Sequence, residues 1–227
     1  MKYLKHLITA LFVTMLATPA ALAQVGSLPN PGITPDNPFY FLDKWGETFG
    51  RLFAVGQQAK AAKQAEHAEE RLAEAQAMAN EGKDELAEEA AREYGALISE
   101  AAANLAAAAQ GGEDTSAALA DLVTKATGIH LTVLADVYQK VPEQAKPAIE
   151  RAMTQSAQGQ EAALNALGGT QREAAEEQVE QAEEQLNILR QQGIPIPEIQ
   201  SGVNGSTDSG RPTTGPAAGE LPISAGQ

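Results

Sequence analysis

The chain has 227 residues, 16 basic against 30 acidic side chains, a formal charge of −14 and no cysteine. That balance argues against DNA or RNA as a partner, because phosphate binding needs a basic face, and against adsorption to anionic lipid. Without cysteine there are no disulfides, no thiol catalysis and no cysteine-based zinc or iron–sulfur centre, so the fold must rest on packing alone.

Lys2, Lys5 and His6 precede an apolar run from Leu7 to Ala17, and Ala21-Leu22-Ala23 offers a small-x-small cleavage pattern. Residues 1–23 therefore read as a secretory signal peptide, too short and wrongly flanked for a membrane span. Cleavage before Gln24 removes Lys2 and Lys5 and takes the charge from −14 to −16. No cysteine follows the cleavage point to carry a lipid anchor. No later stretch approaches 18 consecutive apolar residues, so the mature chain is expected to be soluble, without a transmembrane segment, in a periplasm or outside the cell.

Residues 24–35, rich in Pro and Gly, are expected to form an extended arm. A helical domain is then expected over 36–192. Its first segment, 36–53, holds six of the eight aromatic side chains outside residues 1–23: Phe39, Tyr40, Phe41, Trp45, Phe49 and Phe53. Pro38 marks a helix start capped by Asp36 or Asn37, and Phe39, Leu42, Trp45, Phe49 and Leu52 recur at helical spacing. Buried rings contribute far more area than alanines, so the first reading is a short core helix around which longer ones pack. Two others stay open, a partner-docking helix and a membrane-surface anchor.

From Gln57 to about Asn80, Ala61, Ala65, Ala68, Leu72, Ala75 and Ala79 form a heptad seam built mainly of alanine. After Glu81-Gly82-Lys83, a second helix to about Gln110 repeats it with Leu86, Ala90, Tyr94, Leu97, Ala101, Leu105 and Ala108; the short link favours an antiparallel hairpin. Gly111-Gly112 breaks the pattern, and Asp114, Thr115 or Ser116 can cap a helix from Ser116 to Val141. That helix is the most apolar, with one stripe through Leu119, Leu122, Ala126, Ile129, Val133 and Val137 and a second through Val123, His130, Leu134 and Val141. So wide a face predicts burial against two helices.

Pro142 is expected in the first turn of the next helix, with Pro147 still tolerated near its start and Gly159 softening its middle. Thr170 is expected to cap a last helix to about Gln191, with Gly193 as C-cap. Residues 193–227, rich in Gly, Pro, Ser and Thr, are expected to be a disordered tail. The fold class is all-α: an antiparallel bundle or long helical hairpins, one short aromatic helix plus about five long ones.

Little in this pattern carries chemistry. His67, set among Glu66, Glu69, Glu70 and Arg71, reads as part of a solvated charged face. His130 falls in the apolar stripe and reads as a histidine hydrogen-bonded within an interface. Neither has a Glu three residues before it, so a di-iron bundle site is rejected. The doublets Glu69-Glu70, Glu88-Glu89, Glu176-Glu177 and Glu183-Glu184 read as solvated surface, because acid–base work needs a dry concave site that separates two pKa values. No calcium loop, phosphate loop or nucleophile elbow occurs.

Three stretches carry a resemblance: Pro35-Asp36-Asn37-Pro38-Phe39-Tyr40-Phe41-Leu42, the run Lys60 to Lys83, and His130 to Met153 with its Val-Pro-Glu-Gln-Ala-Lys-Pro-Ala-Ile-Glu core. Together they resemble an uncharacterised family of exported prokaryotic proteins known only as a domain of unknown function, over roughly residues 29–167. The resemblance implies a secreted helical domain and carries no activity or catalytic residues with it.

The expectation is an exported, non-catalytic structural or protein-interaction domain of the cell envelope. It is expected not to be an enzyme and to need no metal or cofactor. Its partner is an unidentified protein, and self-association is open to it. A second reading from another class is an acidic module binding divalent cations or a basic ligand.

Overall fold

The structure, a computed structural model, describes residues 28–38, 40 and 56–199. Within them the chain forms five helices and no strand. Helix α1 spans Gln57–Asn80 and α2 Asp84–Gln110. Their alanine seams meet as expected: Ala61, Ala68, Leu72 and Ala75 are fully buried with Ala87, Ala91, Tyr94 and Ala101. The turn between them closes on Gly82 at φ 70°, where Gly82 N–H donates to Ala79 O and Lys83 N–H to Met78 O at 2.9 Å. This left-handed C-cap satisfies the last carbonyls of α1 and reverses the chain. Pairing of Gln64 with Asn104 and Arg71 with Glu93 confirms that the two run antiparallel.

A second cap of the same kind follows at Gly112, and Asp114 accepts from Ser116 N–H and Oγ ahead of α3. Helix α3 extends over Ser116–Lys140 as one continuous rod with an internal change of pitch. It is α-helical over Ser116–Thr124, π-helical over Lys125–His130 and α-helical again over Leu131–Lys140. Among the described helices only α3 is long and apolar enough by composition to cross a bilayer. Its apolar stripes account for that composition as packing: Leu119, Val123, Ala126, Leu134 and Val137 are all buried against neighbouring helices.

Helix α4 spans Lys146–Ala166, four residues later than Pro142 implied. Ala145 N–H donates to Pro142 O in a preceding turn, and Pro147 instead occupies the first helical turn, where a missing N–H costs nothing. Helix α5 spans Gly169–Gln191 with Gly168 at its N-cap, so Thr170 lies inside the helix rather than capping it. α1 packs on α2, α2 on α4, α4 on α3 and α3 back on α1, closing a four-helix ring. α5 lies mainly against α3 and buries only Ala175, Val179 and Leu186.

The chain beyond Gly193 differs from expectation. Gly193 caps α5 at φ 87° as its position implied. Residues 194–199, however, are not a solvated tail: Ile194, Ile196 and Ile199 are buried in the core. Arg190 holds this strap, donating Nε to Ile196 O at 3.1 Å and Nη2 to Pro197 O at 2.5 Å, while its Nη1 pairs with Glu183 at 2.6 Å. Burial of its three isoleucines offsets part of the entropy of ordering six residues. The remainder of the expected tail, 200–227, and the expected signal peptide, 1–23, lie outside the described residues.

Gly159 marks a close approach and is buried on α4. A Cβ built there would sit 3.5 Å from Ile98 O and 3.7 Å from Ala102 Cβ, ordinary contact distances. Gly159→Ala is therefore expected to stabilise the fold by about 0.5–1 kcal/mol, through helix propensity and lost freedom of the unfolded chain. Urea denaturation measures this; a lower midpoint would mean that α2 and α4 are packed too tightly for a methyl.

Candidate functional site

Of the eight residues singled out from the sequence, Phe39, Phe41, Trp45, Phe49 and Phe53 lie outside the described residues. Pro38 is an exposed turn residue. Tyr40 is partly buried, and its hydroxyl donates to Glu74 Oε2 at 2.9 Å. Arg71 hydrogen-bonds the same hydroxyl, stands 5.3 Å from the ring centroid and pairs with Glu74 at 2.8 Å. Arg71 and Glu74 are almost wholly buried, so the start of the aromatic segment is fastened to an ion pair inside the bundle. Such a pair is costly to desolvate and more costly to break.

His130 is where the structure concentrates its polar chemistry. It ends the π-helical stretch of α3, 2% exposed, and meets Tyr94 of α2 edge-on with ring centroids 5.3 Å apart. Its Nδ1 lies 3.0 Å from Tyr94 Oη, Tyr94 Oη lies 2.7 Å from Ser156 Oγ of α4, and Ser156 Oγ donates to Ala126 O at 3.1 Å. Ala126 is in the same π stretch.

The direction of every bond in this chain follows from its far end. A carbonyl can only accept, so the Ser156 hydrogen goes to Ala126 and the Tyr94 hydrogen goes to Ser156. Tyr94 is then an acceptor toward the imidazole, which assigns the proton to Nδ1 and leaves Nε2 as a bare lone pair. That Nε2 is buried and has no hydrogen-bond partner. Burial, reinforced by the positive charge of Lys125, lowers the His130 pKa to about 3, while burial pushes the Tyr94 hydroxyl well above its usual range. Both groups are neutral at physiological pH. The π turn contributes by slowing the rotation of the helix per residue, so that Lys125 and His130, five positions apart, border one cavity.

That cavity, about 230 Å³, lies between α1, α2 and α3. Ala65, Ile98, Leu105 and Leu122 line it beside His130, with Glu66, Glu69, Asp121 and Lys125 also bordering it. Lys125 Nζ pairs with Glu69 at 2.7 Å and Asp121 at 3.1 Å. A shallower groove of about 430 Å³ separates Leu28, Pro29 and Pro31 of the arm from Ala73 and Ala77 of α1 and Ile129 and Val133 of α3. The arm thus lies along the bundle, with Leu28 packed against the core.

His67 differs from its expected solvated setting. It is 7% exposed, with Nδ1 3.0 Å from Glu70 Oε2. Of the acidic doublets, Glu69, Glu70, Glu88, Glu176 and Glu183 each face a basic side chain or histidine rather than a second carboxylate. Among the described residues no three His, Asp or Glu side chains converge as a metal site. Sequence reading missed the hydroxyl relay entirely. Tyr94 was legible only as a seam residue, and Ser156 gave no signal because its role depends on which helix faces it.

Residues 32–144 match the family model for a domain of unknown function, DUF5667. The match spans 113 of the 227 residues, just under half of the chain. The matched range takes in α1, α2 and α3 and stops in the turn before α4, so Tyr94 and His130 fall within it and Ser156 beyond it. No curated protein and no solved structure matches the chain.

Two measurements probe the relay. Tyr94→Phe strands the Nδ1–H of His130 and is expected to cost about 1–3 kcal/mol, and Ser156→Ala a similar amount. Because one bond joins them, the double variant is expected to fall short of the sum by at least about 0.5 kcal/mol in urea denaturation; strict additivity would break the relay. The second concerns pH. A histidine whose pKa falls from about 6.5 unfolded to about 3 folded binds more protons unfolded, so its contribution is complete above pH 6.5 and lost as pH falls toward 3. The melting temperature is expected to drop between pH 7 and pH 5, and His130→Asn is expected to flatten that slope.

Proposed function

We propose that this DUF5667-containing chain is an exported, non-catalytic helical domain that acts through protein–protein contact in the cell envelope. The observation that carries this reading is the state of His130. It is the one described imidazole tied into a buried hydroxyl network, yet its pKa near 3 makes it a poor base at neutral pH, where catalysis favours a pKa close to ambient. Its partners Tyr94 and Ser156 join three helices, which is the work of a structural pin. The acidic exterior and the lightly packed, charged α5 supply surface suited to a partner. Lys2, Lys5, the apolar run and Ala21-Leu22-Ala23 support export.

Fusing residues 1–30 to a reporter that is active only after export is expected to give activity, lost when Leu7 to Ala17 is interrupted by charges. Crosslinking of the intact chain in its native envelope is expected to trap one discrete protein partner. Binding heat with calcium, zinc or a cationic peptide, in the absence of any crosslinked partner, would favour the cation-binding reading and overturn this one.

A further inference from the structure

The strap over 194–199 is held in the way a bound peptide is held. Two side chains of α5 fix its main chain. Arg190 donates Nε to Ile196 O at 3.1 Å and Nη2 to Pro197 O at 2.5 Å, and Glu183 Oε1 accepts from Ile199 N–H at 3.3 Å. Arg190 and Glu183 are closed on each other at 2.6 Å, so the pair stands as a fork that meets two carbonyls and one amide. None of these contacts depends on side-chain identity. Selectivity falls to Ile194, Ile196 and Ile199, which enter the core cluster while Pro195 and Glu198 stay exposed. Main-chain hydrogen bonds combined with seats for spaced apolar side chains are how extended peptides are recognised.

The strap is also lightly held. Its three isoleucines offset only part of the entropy of ordering it. Pro195 and Pro197 have no N–H to give, and Ile196 N–H bonds only back to Ile194 O at 2.8 Å. Arg190 and Glu183 are 21% and 20% exposed, so departure of the strap leaves them paired and within reach of water. No buried charge is stranded. Gly193, at φ 87° with open space around it, provides the pivot.

We propose that the seat beneath the strap is a peptide-docking site, filled in cis by the strap. It takes from a partner protein an extended segment with aliphatic side chains at its first, third and sixth positions. The partner's carbonyls meet Arg190, and the strap gates the site by competing for the same contacts. This rests on the protein-contact reading above and names the chemistry of the partner.

The test titrates a fluorescent peptide of residues 193–199 onto two full-length chains, wild type and Ile194→Asn/Ile196→Asn/Ile199→Asn. The triple variant loses the cis competitor and keeps Arg190 and Glu183, so it is expected to bind at least about 10-fold more tightly than wild type. Adding Arg190→Ala is expected to weaken that binding about 10-fold, and a peptide with the same three asparagines is expected not to bind. Should the triple variant not fold, hydrogen exchange on the wild-type chain decides. The Ile199 amide is expected to exchange at least about 100-fold faster than those of Leu72 and Ile98. Equal protection would mean that the strap leaves only on global unfolding and would overturn the proposal. So would a folded triple variant that ignores the peptide, or binding indifferent to Arg190→Ala. A wild-type dimer lost in the triple variant would assign the seat to a second copy and overturn it as well. An envelope partner crosslinked without any peptide binding would sink this site alone; peptide binding with no crosslinked partner would support the site and count against the wider reading.

Discussion

Alanine sets the terms of this bundle. Where two helices meet through methyl groups the backbones approach closely, as Ala61, Ala68 and Ala75 show against Ala87, Ala91 and Ala101. Contacts are then numerous but bury little area each, so interfaces of this kind are close in fit and poor in selectivity. One alanine seam resembles another. The bundle needs other features to decide which helix lies against which, and at what height.

Those features are a few larger or polar side chains. Tyr94 is the bulkiest ring in the described core and reaches both His130 and Ser156, fixing α2, α3 and α4 in one register. A misregistered packing would leave a phenol, an imidazole and a hydroxyl buried without partners, each an expensive state in a low-dielectric interior. The Arg71–Glu74 pair with Tyr40 plays a corresponding part where the N-terminal segment joins α1. Gln160 shows the other side of the same physics: wholly buried, with neither amide atom bonded to protein.

The family segment ends at residue 144, inside the bundle rather than at its edge. α4 closes the four-helix ring, and its Ser156 completes the relay that begins in the matched segment. The polar pin thus joins the family-matched segment to the sequence that follows it. Ser156 bonds residues 30 and 62 positions away, because the three helices meet around one hydroxyl.

What the sequence determined was whatever depends on local chemistry. Helical spacing gave α1, α2 and α3 almost to the residue, and most seam positions are buried, with Ala65, Leu86 and Leu97 only partly so. Gly82, Gly112 and Gly193 announced their turns because a left-handed cap favours glycine wherever it occurs. Even His130 was legible as an interface histidine from its stripe. Only the tertiary structure decided what depends on partners. Pro142 and Thr170 carried cap signals that lost to the turns actually formed. Ile194, Ile196 and Ile199, set among prolines, read as tail until Arg190 and the core gave them a place. His67 sat in a charged run and was buried all the same. The tautomer of His130 follows from Tyr94 and Ser156, far away in sequence and within hydrogen-bond reach of one another in space, a relation that no periodicity along one helix encodes.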